Sequence, residues 1–325
     1  MNRNRFVSRY ILAFLLCIVG LASCGEKNAV PTNEILYTAI DNQVLSFNSD
    51  EFGTAKVISN NYNPETRTGI LTFSMDVTEI GDSAFMDCSN LVSIILPASV
   101  AEIGYRAFYF CENLRSIVIP ESVTEIEDWA FAGCSSLDSI AIPKSVTEIG
   151  EGTFRGCSRF TSISIPESVT EIGDVAFRSC SGLTSVTIPD SVKKIGKCAF
   201  MECSNLTSIS IPPTVTEIGF RTFNRCTGLT SITIPESVTE IGDCAFLECS
   251  SLASVIIPSS VTEIGYGAFS HCSSLTSIII PSSVTEIAKL TFSDCTALME
   301  VRIPNGCNVH ESAFKNCPNV KIIHY

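Results

Sequence analysis

The sequence predicts a solenoid of stacked α/β repeats, with a parallel β-sheet on the concave face and short helical turns and loops on the other. Three columns of residues carry that expectation. Phenylalanine recurs at 85, 108, 131, 154, 177, 200, 223, 246, 269 and 292, then at 314. Cysteine follows three residues later each time, from Cys88 to Cys295 and then at Cys317, and proline recurs from Pro97 to Pro304. The period is 23 residues, shortened to 22 in the last unit. Self-similarity at such a fixed period is the signature of a repeat architecture.

Each element of the unit follows from residues 91–113. Ile94 and Leu96 alternate with Ser93 and Ile95, the period of a strand. Pro97 ends that strand, because proline offers no N–H to a ladder. Val100 and Ile103 return apolar groups to the core. Gly104 suits a sharp turn with positive φ, although Glu127 and Ala288 share its column. Ala107, Phe108 and Cys111 stand at i, i+1 and i+4, which predicts one face of a single helical turn.

A unit of this kind cannot fold alone. Burial of one large apolar side chain gives about 1.5–3 kcal/mol, while ordering each residue costs about 1–2 kcal/mol. Only stacking on neighbours, strand beside strand, closes that gap. Twelve strand positions, from 71–73 to 323–325, at about 4.8 Å spacing predict a stack roughly 55 Å long.

The unit L-x-S-I-x-I-P-x-S-V-T-E-I-G-x-x-A-F-x-x-C resembles the BspA-like leucine-rich repeats of bacterial surface proteins, over residues 70–325. The resemblance implies a leucine-rich-repeat solenoid of about 11 repeats. It also implies an extracellular or lipid-anchored protein. Several such proteins are adhesins for host matrix proteins or for other bacteria, so the resemblance implies a binding role.

The ends differ from the repeats. Arg3, Arg5 and Arg9 precede an apolar run at 11–19, the form of a signal peptide over residues 1–23. Leu21-Ala22-Ser23-Cys24 resembles a lipobox with Cys24 as the lipidated residue, ordinary secretory cleavage being the alternative. The run is too short to span a bilayer, so the membrane contact expected is the lipid anchor alone. Gly25 is not the aspartate that retains such proteins at an inner membrane, which points to the outer membrane and surface exposure. Residues 24–33 read as a tether. Residues 34–69 lack the repeat and predict short strands at 35–39, 44–47 and 56–59, forming an N-terminal β cap or a small separate domain. At the other end, an edge strand at 321–325, with Lys321 and His324, predicts weak self-association.

Charge narrows the partners. The chain carries −13, and loss of residues 1–23 leaves 18 cations against 34 acids, a net −16. That excludes nucleic acid and anionic lipid as expected partners. A glutamate column runs from Glu79 to Glu286, broken by Lys194. It lacks the clustered Asp and Asn oxygens of calcium loops, so solvated carboxylates are expected, with a cation ladder as the alternative. The repeated cysteines read as small buried hydrophobes with reduced thiols. Cys198 and Cys244 share a column two coils apart, too far to bridge, and Cys307 has no assigned role. No C-x-x-C pair occurs, and His271, His310 and His324 are scattered, so neither zinc nor a cofactor is expected.

Three surfaces remain as candidates for binding. Tyr105, Arg106, Tyr109 and Phe110 in one coil lie near Trp129 in the next, and aromatics with arginine suit protein interfaces and sugar stacking. Arg155, Arg159, Arg178, Lys193, Lys194 and Lys197 concentrate positive charge. Both sets stand in columns that vary freely between repeats, so surface decoration is the alternative. On the sheet face one outward column is nearly all serine, and the other ends in apolar residues that include Ile256 and Ile279. Exposed apolar residues there point to a covering ligand or to plain β propensity.

Catalysis needs a nucleophile, a base and an orienting group at unique positions, whereas repetition supplies the same residues many times. The function expected is therefore a non-enzymatic surface protein that binds a host or bacterial protein or glycan. A self-associating surface coat is the second expectation, and nutrient capture beside a transporter the third.

Overall fold

The computed structural model describes residues 30–40 and 44–325. The expected signal peptide, Cys24 and most of the tether lie outside the described residues. Thr32 and Asn33, expected in the tether, are fastened to the body: their carbonyls accept the N–H groups of Val77 and Phe73 at 2.8 and 2.9 Å.

The chain is a solenoid of parallel coils around one continuous core, preceded by three antiparallel strands. Those strands are β1 (Glu34–Ala39), β2 (Val57–Asn63) and β3 (Thr68–Phe73). The first repeat supplies β4 (Glu79–Ile80) and β5 (Leu91–Ile95); the second supplies β6 (Glu102–Ile103) and β7 (Ser116–Val118). The first sheet has the order β2-β3-β1-β5-β7. Residues 71–73 are thus not the first parallel strand, as the spacing suggested. They lie in β3, antiparallel to β1, and β1 intervenes to pair antiparallel with β5. Residues 44–47 form no strand. Ser93, expected on the outward face, is buried because the Thr38 hydroxyl of β1 bonds to it at 2.6 Å.

The core is a spine of phenylalanine rings. From Phe85 to Phe314 successive rings stack with centroids 5.1–5.9 Å apart and interplanar angles of 3–17°. Phe52 meets the first ring nearly edge-on, at 76°, and closes the stack. Two side-chain ladders tie coil to coil beside it. Each serine before the valine donates its hydroxyl to the valine carbonyl of the preceding coil, as Ser122 does to Val100 at 2.6 Å. From Cys111 to Cys317 each cysteine of the repeat column donates its thiol to a phenylalanine carbonyl of the preceding coil, as Cys180 does to Phe154 at 3.1 Å, while Cys88 donates to the Ser46 carbonyl. The cysteines are therefore donors as well as small hydrophobes.

Where a helical turn was expected, no helix forms among the described residues. The N–H groups of residues 106–111 alternate. Those of Ala107, Tyr109 and Cys111 bond within the coil to residues three back; those of Arg106, Phe108 and Phe110 donate to the carbonyls of Asp128, Ala130 and Ala132 in the next coil. Half the donors a helix needs are thereby spent on the neighbour. Positive φ falls here, at Arg106 (56°) and Phe110 (54°) and at their counterparts in the other coils, Ser312 of the last coil excepted, and not in the Gly104 column. Glycine serves that column through close approach instead: a Cβ on Gly173 would lie 2.7 Å from the Gly150 carbonyl carbon.

A second parallel ladder, unforeseen from the sequence, is built from the Glu-Ile pairs. Glu79, Glu102 and Glu125 are in register, as are Glu148, Glu171 and Lys194, and Glu217, Glu240 and Glu263. The ladder opens at every third coil, between Ile126 and Ile149, Ile195 and Ile218, and Ile264 and Ile287. The sheet of serine-flanked strands is interrupted too, since residues 139–141 and 254–256 are not in strand geometry.

Candidate functional site

The alternating hydrogen bonds create a ridge with two columns of left-handed residues, and the aromatic patch grows from it. One column contains Arg106, then Trp129, then Gly152; the other contains Phe110, then Gly133. Side chains of this ridge lie along the stacking axis over the same position of the next coil. There Phe110 and Trp129 each meet a glycine. A Cβ on Gly133 would stand 2.9 Å from the Phe110 ring, and one on Gly152 would stand 2.6 Å from the indole. Glycine is required at both places because any side chain would unseat the ring above it.

Around these rings the cations are ordered. The Arg106 guanidinium sits 4.8 Å from the Tyr105 ring centroid and 5.0 Å from that of Tyr109, and Arg155 sits 5.5 Å from that of Trp129. Tyr109 and Phe110 meet edge to face at 4.5 Å, and Phe110 is 41% exposed. The structure thus joins Tyr105, Arg106, Tyr109 and Phe110 by contact and places Trp129 one coil on, in Arg106's column. The glycine seats were not foreseen. The signal available was the pairing of aromatic and glycine at 23-residue spacing, 110 with 133 and 129 with 152.

Three of the six residues of the basic cluster are paired with carboxylates. Arg159 pairs with Asp138 at 2.8 Å, Arg178 with Glu202 at 3.6 Å, and Lys194 with Glu171. Burial works against the charge of Glu202, but the Ser179 hydroxyl, Arg178 and Arg225 outweigh it and lower its pKa. On the serine-flanked face, Ile256 is 83% and Ile279 55% exposed, and with Ser254 and Ser277 they line an open groove of about 390 Å³.

The glutamate ladder carries mutual repulsion. Burial and then Glu125, Glu79 and Asp82 raise the pKa of Glu102; burial and then Glu263, Glu217 and Asp243 raise that of Glu240. Two grooves flank the ladder. One, of about 460 Å³, lies between Tyr105, Glu125, Glu127, Asp128 and Glu148; the other, of about 530 Å³, lies between Tyr266, Asp243, Glu263 and Glu286. The described residues hold no group of three or more His, Cys, Asp or Glu placed to bind a metal.

Burial pushes Cys180, Cys226 and Cys272 up to about 12. Cys198 and Cys244 are also raised by burial, against the opposing pull of Arg221 near both, and Cys307 is raised by burial and Glu286. All three are free.

Comparison with known proteins gives a consistent picture. The family model described as "BspA type Leucine rich repeat region" matches residues 78–207 and 193–321 in six copies. A leucine rich cell surface protein from Faecalibacterium prausnitzii is 34% identical, the match covering 77% of this chain and 76% of that one with a TM-score of 0.54. A leucine-rich repeat protein from Eubacterium ventriosum, 24% identical over 78% of this chain and 71% of its own, has a TM-score of 0.51 and shares the fold. One from Bacteroides ovatus is 28% identical over 76% and 82%, with a TM-score of 0.46. No curated protein matches.

Proposed function

Because the chain belongs to the BspA-type leucine-rich repeat family, we propose that it is a non-enzymatic binding protein displayed on a bacterial surface, engaging a protein or glycan of a host or of another bacterium. The observation that carries this reading is the pair of seated rings, Phe110 on Gly133 and Trp129 on Gly152. Rings already fixed against backbone lose little freedom when a partner lands on them, and pre-organisation of that kind is what an anchor residue needs. Tyr105, Arg106 and Tyr109 extend the same surface. Surface display agrees with the cell-surface relative, and anchoring through a lipid on Cys24 at the outer membrane completes the reading.

The test is a glycan and matrix-protein array probed with residues 25–325, as the native chain and as Trp129→Ala. Loss of a retained ligand in the variant, with an unchanged circular dichroism spectrum, supports the aromatic surface; full retention removes it. The exposure of Ile256 and Ile279 favours a second reading, a self-associating coat that covers this strip. Self-association in sedimentation, without any ligand retained on the array, supports that reading instead.

A further inference from the structure

Three openings interrupt the Glu-Ile ladder, and the middle one differs from the other two. At the first, Gly150 makes no bond to the Ile126 carbonyl of the kind Gly104 makes to Ile80, and the groove walled by Tyr105 lies over the gap. At the third, Ala288 likewise makes no bond to Ile264, and the groove walled by Tyr266 lies there. The two linings correspond residue for residue six periods apart, Glu125 with Glu263 and Glu148 with Glu286, and each has one tyrosine and one aspartate: Tyr105 takes the place of Asp243, and Tyr266 that of Asp128. None of the ion pairs among the described residues involves a carboxylate of either groove. At the middle opening the chain supplies its own cation: Lys194 replaces the glutamate, and its ammonium bonds to Glu171 of the preceding coil. In that coil pair the tyrosine column holds Lys197 and then Phe220, whose ring carries Arg221 at 4.8 Å.

We propose that the Tyr105 and Tyr266 grooves are twin docking sites for lysine or arginine side chains of one extended basic segment of a partner protein. Charge complementarity selects the occupant. A guest ammonium brings to each groove the positive charge that Lys194 brings to the ladder in the middle, against carboxylates that otherwise repel one another, and a tyrosine face adds cation–π attraction. That a cation settles on this wall is visible at Tyr105 itself, where Arg106 lies against the ring. Six coils at about 4.8 Å place the sites about 29 Å apart, the reach of roughly nine extended residues. A segment with basic clusters at that separation engages both sites, and the second contact is intramolecular. The inference stands apart from the aromatic surface of the proposed function, because Tyr266 belongs to this one alone.

The experiment is calorimetric titration of residues 25–325 with a synthetic peptide carrying two Lys-Lys pairs about nine residues apart. The comparison probes are the same peptide with adjacent pairs, an acetyl-lysine version and a neutral oligosaccharide. Each of Tyr105→Ala and Tyr266→Ala is expected to weaken the spaced peptide by about 3- to 30-fold and to abolish its advantage over the adjacent one. Glu263→Gln is expected to act like Tyr266→Ala, while a Glu65→Gln/Glu300→Gln control leaves binding unchanged. Equal weakening by the control reveals diffuse acidity and overturns the proposal. So does undiminished binding by Tyr266→Ala, or binding of the acetylated peptide or the oligosaccharide as tightly as the lysine form.

Discussion

Phe177 and Val175 stand two residues apart in one coil and obey different rules. Phe177 lies between Phe154 and Phe200, with ring centroids 5.6 and 5.3 Å away, and is fully buried. Val175 sits on the ridge at a φ of 51°, donating its N–H to the Lys197 carbonyl of the next coil. Inside, the side chain is the link between coils, so its identity repeats. On the ridge the backbone makes the link, so identity drifts from Trp129 to Gly152 to Val175 to Cys198 while the φ stays positive. The ridge is where this fold varies its surface without disturbing its stack.

The sharpest way to break that contrast is to remove an interior link. Phe177→Ala takes a ring out of the spine and is expected to cost about 3–5 kcal/mol. Cys180→Ala, in the same coil, removes a small apolar group and the thiol bond to Phe154 and is expected to cost about 1–3 kcal/mol. Urea denaturation followed with amide exchange checks both. In a stack of nearest-neighbour coils the loss of protection should centre on this coil and its two neighbours. Uniform loss along residues 70–325 would show that the coils are not the units of stability.

The ridge predicts the opposite sign. A β-branched residue at positive φ pays a steric cost of about 1–2 kcal/mol, and glycine there gives back part of the gain as unfolded-state entropy. Val175→Gly is expected to stabilise the coil by about 0.5–1 kcal/mol, read from the same denaturation curves. Destabilisation by Val175→Gly would mean that the valine packs as an interior residue does.

The same division explains what could be read from the residues alone. The period, the stack and the burial of the phenylalanine and cysteine columns follow from apolar recurrence, which each coil's sequence displays. The second ladder was hidden because a two-residue Glu-Ile strand has no room for alternation. The ridge geometry was hidden because it is set by which carbonyl each N–H finds in the neighbouring coil, and its residues include Arg106, Trp129 and Val175, none of which signals positive φ. Gly104 signalled it and does not adopt it. The order of β1 between β3 and β5 was equally unreadable, since β1 pairs with strands 34 and 57 residues on. Of the candidate site, the residues were legible and the glycine seats beneath Phe110 and Trp129 were not.

The smallest effect expected separates the ladder from the ridge by pH. Glu240, on the ladder, has its pKa raised by burial and then by Glu263, Glu217 and Asp243. A raised folded value means that the native state holds the proton longer than the unfolded chain does. Its stabilising contribution is therefore present below the unfolded value and is lost as pH rises through the folded one. Glu202, on the ridge, is lowered once Ser179, Arg178 and Arg225 outweigh burial. Its contribution is present above the unfolded carboxylate value and is lost as pH falls through the lower folded one. Accordingly Glu240→Gln should raise the thermal midpoint at pH 7, and Glu202→Gln should lower it. Both differences should shrink on acidification, that of Glu240 first as the solution passes below its raised value, and that of Glu202 only under stronger acid. Added salt should reduce both, because these carboxylates face solvent. Midpoints that move in the same direction in the two variants at pH 7 would show that ladder repulsion and ridge pairing do not govern these groups.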